Sequence, residues 1–282
     1  MIVRDRPNAL RLFFVVKGAL IQRIWPQLLG VGLLSTAIVA AHRQMPGLVP
    51  GVNPAAFALI GVAISIFLSF RNNASYDRWW EARKLWGQII ETSRSIARQT
   101  AVLSPDPERR AILENVIAFA QTTVHQLRGK PRGPAPDAIL SDTAVTVARL
   151  LRAGRLDQVE ALALNESLSR LTHALVGCER LANTPVPFPY TLLLHRTAYI
   201  FCFMMPFGLA DSLGWATPLA VMLVAYNFFG LDALAEELEE PFGTMPNDLP
   251  LSAYATVIER HMRAALGDEL PEAPAPKDYV LT

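Results

Sequence analysis

Between Gly61 and Gly87 the chain reads GVAISIFLSFRNNASYDRWWEARKLWG, an uncharged apolar helical pattern that runs without a break into a charged, Trp-rich one. No side chain from Gly61 to Phe70 is ionisable, whereas Arg71, Asp77, Arg78, Glu81, Arg83 and Lys84 crowd around the pair Trp79 and Trp80 in the following turns. A membrane span ends in this way, with indole rings in the headgroup layer and basic side chains reaching water. The pattern predicts one helix that leaves a bilayer and continues into water, with the junction as the candidate functional region.

Composition agrees with a chain that is part membrane and part aqueous. Hydrophobic residues make up 51% of the 282 positions, and the charges are concentrated outside long uncharged windows. The net charge of +1, without a basic run interleaved with aromatics, argues against nucleic acid as a partner. Cys178 and Cys202 fall in a polar helical region and an apolar span, which is no disulfide framework. The five histidines, His42, His125, His173, His195 and His261, sit apart without metal-ligand spacing, and no phosphate-binding glycine loop or nucleophile elbow occurs. These residues do not describe an enzyme, and they call for no cofactor.

The opening segment, residues 1–23, lacks a compact apolar run before a cleavage site because Lys17 and Arg23 interrupt it, so it is expected to be retained. There Leu10, Phe13, Phe14 and Ala19 alternate with Arg11, Lys17 and Arg23, as in a helix lying on a membrane surface or in a first helix that starts early. Residues 24–70 hold two predicted spans, IWPQLLGVGLLSTAIVAA from Ile24 to Ala41 and the stretch from Ala55 to Phe70, joined by a loop with three prolines and two glycines. Residues 71–189 read as cytosolic helices, with a capping region expected around Ser104 and a Pro/Gly-rich loop from Lys130 to Pro136. Residues 190–233 read as two further spans, Thr197–Ala210 extended back to Tyr190 and Trp215–Leu231, turning at Asp211 to Gly214. Residues 234–282 give an acidic helix end, a short helix and a Pro-rich tail expected to be flexible or draped over a neighbour. The fold class is therefore an all-α integral membrane protein with four transmembrane helices and a cytosolic helical region. Because the expected external loops carry only Arg43 and no lysine, both termini are expected in the cytosol of a bacterial inner membrane.

No Asp, Glu, Lys, Arg or His lies at mid-depth in the spans, where a coupled transporter would place its relay. A passive path remains open to such a chain, provided that several subunits share it. In the second span Val62, Ile66 and Phe70 recur every fourth residue and share one stripe. Repeated around a symmetry axis the stripe would form three apolar rings; otherwise it faces lipid or a neighbouring helix. Small residues on the flanking faces, Gly61, Ala63, Ser65 and Ser69, suit close helix approach. A non-conducting membrane scaffold or signalling protein with a cytosolic partner is the alternative from another class.

Three motifs, SFRNNASYDRWWEARKLWG from Ser69, CERLANTPVPFPY from Cys178 and EELEEPFGTMPNDLP from Glu236, resemble the bestrophin family and its bacterial members in particular. The resemblance covers most of the chain in order. It implies a homopentameric channel for monovalent ions with a pore on the five-fold axis, four transmembrane helices per subunit and a neck formed by the second. It places the neck at Val62, Ile66 and Phe70 and a second, cytosolic constriction at Leu181. Arg71, Asn72, Asp77, Arg78, Trp79 and Trp80 then form the neck support and interfacial motif. As a bacterial member the chain is expected to favour cations slightly, with chloride and other anions as the other outcome. In eukaryotic bestrophins a run of acids follows the PFG as a calcium clasp; here TMPNDLP follows Gly243, and Asp248 with Glu239 and Glu240 offers too few oxygens. No metal or other cofactor is implied; the partners are other copies, lipid and the ions.

Overall fold

The computed structural model describes residues 1–4, 8, 10, 15, 18–45, 53–104 and 106–282. Phe13, Phe14, Arg11 and Lys17 of the expected surface helix, and most of the Pro/Gly-rich loop after Gln44, lie outside the described residues. Among the described residues eight α-helices follow one another: α1 (Ile21–Gln44), α2 (Pro54–Gln99), α3 (Pro107–Leu127), α4 (Pro136–Arg152), α5 (Gln158–Asn183), α6 (Phe188–Leu213), α7 (Thr217–Glu239) and α8 (Leu251–Leu266). Among the described residues no strand is present; single bridges pair Ile2 with Val280 and Lys277 with Val280.

The helices divide into two compact units, and α2 contributes to both. One unit, Asp5–Asp77 with Pro185–Glu239, holds α1, the first part of α2, α6 and α7. Its core is built from Ile24, Leu28 and Val31 of α1, Ile64 and Leu68 of α2, Ala198, Phe201 and Cys202 of α6, and Val221, Ala225 and Phe229 of α7. By length and composition, Ile21–Gln44, Pro54–Leu103 and Phe188–Glu239 can each cross a membrane, and the last is folded back at the short 3-10 turn Gly214–Ala216. Gly208 lets α6 approach α2 closely: a Cβ there would lie 2.5 Å from the ring of Phe57.

The other unit, Met1–Arg4, Arg78–Thr184 and Glu240–Thr282, packs the second part of α2 with α3, α4, α5 and α8. Trp86, Ile89 and Ile96 of α2, Phe119 of α3, Leu171 of α5 and Met262 of α8 are buried together in its core. Gly177 on α5 makes room for Leu85, which would lie 2.8 Å from an added Cβ. α5 begins with a capping box: Asp157 accepts from the Glu160 amide at 2.7 Å, and the Glu160 carboxylate accepts from the Asp157 amide at 3.0 Å.

One expectation is met and one changes. The capping region expected around Ser104 is present: the N-cap is Asp106, with Pro107 at the first helical position, where a missing amide costs nothing. Asp106 turns to Arg155 instead of to the helix amides. The end of the tail does not hang free. It returns to its own chain, where the Val3 amide donates to Tyr279 at 2.8 Å, the Leu281 amide to Met1 at 2.8 Å and the Ala253 amide to Thr282 at 2.8 Å.

Candidate functional site: the apolar stripe of α2 and the buried arginine beneath it

Within the first unit, α2 is buried along a narrow stripe of Ile64, Leu68, Arg71 and Ser75. At about 100° per residue, the centre of this stripe and that of Val62, Ile66 and Phe70 lie about 170° apart around the helix. The three apolar side chains therefore point away from their own subunit, and they are 60%, 50% and 59% exposed. Leu59, Ile60 and Phe67 are exposed with them. Only 17% of the apolar window of α2 is buried within the chain, against 39% in α1 and 44% in the α6–α7 stretch. Val62 and Ile66 also edge an apolar groove of about 570 Å³ with Phe57, Gly61, Phe201 and Phe228.

Arg71 departs most from the sequence expectation. A basic residue at a span end should reach water, yet its side chain is almost wholly buried. Its Nη1 is paired with Asp232 of α7, and Nη2 lies 3.7 Å from Glu239. The other oxygen of Asp232 meets His195 Nδ1 of α6 at 2.6 Å, so His195 is no isolated histidine. The His195 ring packs at a tilt against Tyr199 with centroids 4.3 Å apart, and Tyr199 likewise against Phe229 at 4.4 Å. Nearby, Arg23 of α1 binds Glu236 at 2.5 Å and approaches Glu237 at 3.9 Å. Arg71 and Asp232 are both buried, and taking such charges out of water is expensive unless a partner of opposite sign is fixed against each, as here. Asn72 donates to the Leu68 carbonyl at 3.0 Å, which ties it back to its own helix, and Asp77 is exposed.

In the second unit Arg78 donates to the carbonyls of Leu181 at 2.7 Å and Thr184 at 2.6 Å, closing the C-terminus of α5. Leu181 itself is buried in that unit's core; the exposed side chains of the last turns of α5 include Val176 and Arg180. Arg180 is paired with Glu81 of α2. Trp79 donates its indole N–H to the Asn247 carbonyl at 3.1 Å and lies against Trp80, whose ring is half-exposed. The loop after the PFG motif is closed from within, since Asp248 accepts from the Met245 amide at 2.6 Å. Burial pushes the Cys178 thiol up to about 12 and keeps it protonated.

The sequence pattern of the Bacterial/Fungal Bestrophin protein family matches residues 1–135 and 130–264. The chain belongs to that family. This bestrophin is 46% identical to a voltage-dependent anion channel-forming protein of Mesorhizobium japonicum over 99% of its own length and 97% of the relative's. It is 41% identical to a voltage-dependent anion channel-forming protein of Escherichia coli over 92% of each chain. The crystal structure of a bacterial bestrophin homologue from Klebsiella pneumoniae superimposes with a TM-score of 0.82 at 37% identity, covering 87% of this bestrophin and 99% of the other chain.

The apolar stripe and the motif around it were legible as candidates from spacing. The partners Asp232, His195 and Glu239 were not, because the acidic end of α7 reads as an exposed helix in sequence. The one available hint was an Asp at the end of an uncharged window, matching an Arg at the end of another.

Proposed function

We propose that the chain is the subunit of a membrane ion channel and that Val62, Ile66 and Phe70 line its neck. The observation that carries this reading is the opposition of two stripes on α2: one is buried in its own subunit, and the other is apolar, exposed and turned outward. A helix of this kind needs other copies around it, and a ring of five, as the family resemblance implies, brings the outward stripe onto an axis. Such a neck excludes water and gates by narrowing or dewetting.

In this reading residues 24–70 and 190–233 cross a bacterial inner membrane as four helices. Residues 71–189 and 234–282 stand in the cytosol, as does the segment 1–23. Arg71, Asn72, Asp77, Arg78, Trp79 and Trp80 hold the neck helix where it leaves the membrane. The second narrowing, expected at Leu181, needs an exposed side chain. Val176 and Arg180 meet that need on the same turns of α5, with Leu181 as the buried backing.

The permeant ion is monovalent, and the names of the relatives favour anions over the slight cation preference expected from sequence. An apolar neck holds no ring of charge, so the sign of the ion is set elsewhere along the path. Purified protein in liposomes under a chloride salt gradient decides both points. Flux with a reversal potential near that of chloride supports the anion channel; the opposite sign returns the preference to cations, and a folded, silent oligomer ends the channel reading.

A further inference from the structure

Asp232 stands between two bases. One of its oxygens takes Arg71 Nη1, and the other faces His195 Nδ1 at 2.6 Å. At that separation the Nδ1 nitrogen carries its proton toward the carboxylate, which leaves Nε2 as the nitrogen that gains or loses a proton. The His195 side chain is about half-exposed, so Nε2 is within reach of solvent protons, whereas Arg71 is sealed. Arg71 follows Phe70 directly on an unbroken helix. Whatever fixes the guanidinium therefore fixes the rotation of the helix at Phe70.

The remaining charges around His195 are known. Arg71 comes from α2; Asp232, Glu236 and Glu239 come from α7; Arg23 comes from α1, with Glu237 beside it. On α6 itself lie Tyr199, which also feels Asp232, Glu236 and Arg23, and the adjacent Arg196. The Arg71–Asp232–Arg23 cluster holds two positive and four negative charges. Once a proton is bound at Nε2, Asp232 is divided between imidazolium and guanidinium. Arg71 has an alternative acceptor in Glu239, 3.7 Å from Nη2, and its Nε has no partner to resist the move.

Resting on the neck reading, we infer that Asp232 is the positioning residue of the neck and that His195 is its proton-sensitive handle. A proton from solvent on His195 Nε2 loosens Arg71 from Asp232, lets it turn toward Glu239 and frees the helix at Phe70. Histidine is the side chain that makes such a change between pH 5 and 8.

Planar-bilayer currents of the full-length protein, taken with both chambers at about pH 7.5 and then at about pH 5.5, bracket the range in which histidine titrates. Acidification is expected to raise wild-type conductance by about fivefold or more, the lower end of ordinary coupling between sites. The His195→Gln variant keeps an N–H for Asp232 without the titration and is expected to be flat. Equal profiles in the two proteins overturn the inference. Asp232→Asn leaves Arg71 buried beside a neutral amide and puts folding at risk, so Asp232→Glu serves as the conservative variant and is expected to retain the pH response.

If no variant conducts at any pH, the channel reading fails while this inference is still measurable through Phe70→Cys. Its rate of modification by a methanethiosulfonate reagent is compared with that in Phe70→Cys/His195→Gln at each pH, so that ionisation of the thiol itself cancels. A ratio that changes with pH supports the handle; a constant ratio overturns it.

Discussion

Arg78 closes the end of α5 by donating to the carbonyl of Leu181 at 2.7 Å and to that of Thr184 at 2.6 Å. The last carbonyls of a helix have no partner within it, and a guanidinium fork satisfies two of them while its charge complements the negative end of the helix dipole. Replacing Arg78 with Ala is expected to destabilise this unit by about 1–2 kcal/mol, less than two buried hydrogen bonds to a charged group would give, because the guanidinium is partly open to water. Arg78→Lys recovers less than half of that loss, since an ammonium cannot span both oxygens in one fork. Thermal unfolding in detergent measures both; an Arg78→Ala protein as stable as wild type would show that water replaces the cap at no cost.

The neck reading makes a separate claim on Val62, Ile66 and Phe70. Their outward exposure means that truncation removes little packing inside the subunit, so the triple Ala variant is expected to fold with a small stability change. Its conductance is expected to rise, with Phe70→Ala as the largest single contributor because it removes the most volume. Single-channel recording gives the comparison. Currents identical to wild type would take these residues out of the path.

Gly208 and Phe57 test the close approach of α6 to α2. A Cβ at residue 208 meets the Phe57 ring at 2.5 Å and 2.6 Å, distances at which something must move. Gly208→Ala is expected to cost about 1–3 kcal/mol, as overpacking does. Adding Phe57→Leu to Gly208→Ala removes the clash and returns part of that stability. Additive losses in the double variant, read by the same unfolding assay, would mean that the two residues are not coupled.

Much of this architecture was written in local pattern. Uncharged windows marked α1, the first part of α2, α6 and α7, because hydropathy over twenty residues does not depend on distant partners. The stripe of Val62, Ile66 and Phe70 was visible for the same reason, since spacing along one helix is local. What escaped was pairing across sequence. Arg71 read as a basic anchor because its partner, Asp232, lies 161 positions away, and nothing local distinguishes a buried arginine from one that reaches water. His195 read as solitary because that same carboxylate lies on another helix. Leu181 was placed by resemblance in a passage, but the face a residue presents depends on the register of α5 against α2, set by contacts such as Gly177 with Leu85. The capping region around Ser104 was legible, but not the contact its acid makes. The chain used Asp106 and spent its carboxylate on Arg155, a partner almost fifty residues on.

The ion pair of Arg110 with Asp268 gives the second unit a pH dependence of known sign. Arg110 donates both terminal nitrogens to the Asp268 carboxylate, at 2.7 Å and 2.9 Å. That hydrogen bonding, outweighing a small burial effect, holds the Asp268 carboxyl below the ordinary carboxylate range. A carboxylate whose folded value is depressed contributes stability that is present in full above its unfolded value. The contribution is lost as pH falls from there through the folded value. Wild type and Asp268→Asn are therefore expected to differ in melting temperature near neutrality and to converge as the pH falls through the depressed folded value, below which both side chains are uncharged. Because the pair is open to solvent, raising the salt concentration at neutral pH should narrow the same gap. A gap that widens as the pH is lowered would contradict the sign of the linkage and assign the stabilisation to something other than the Asp268 charge.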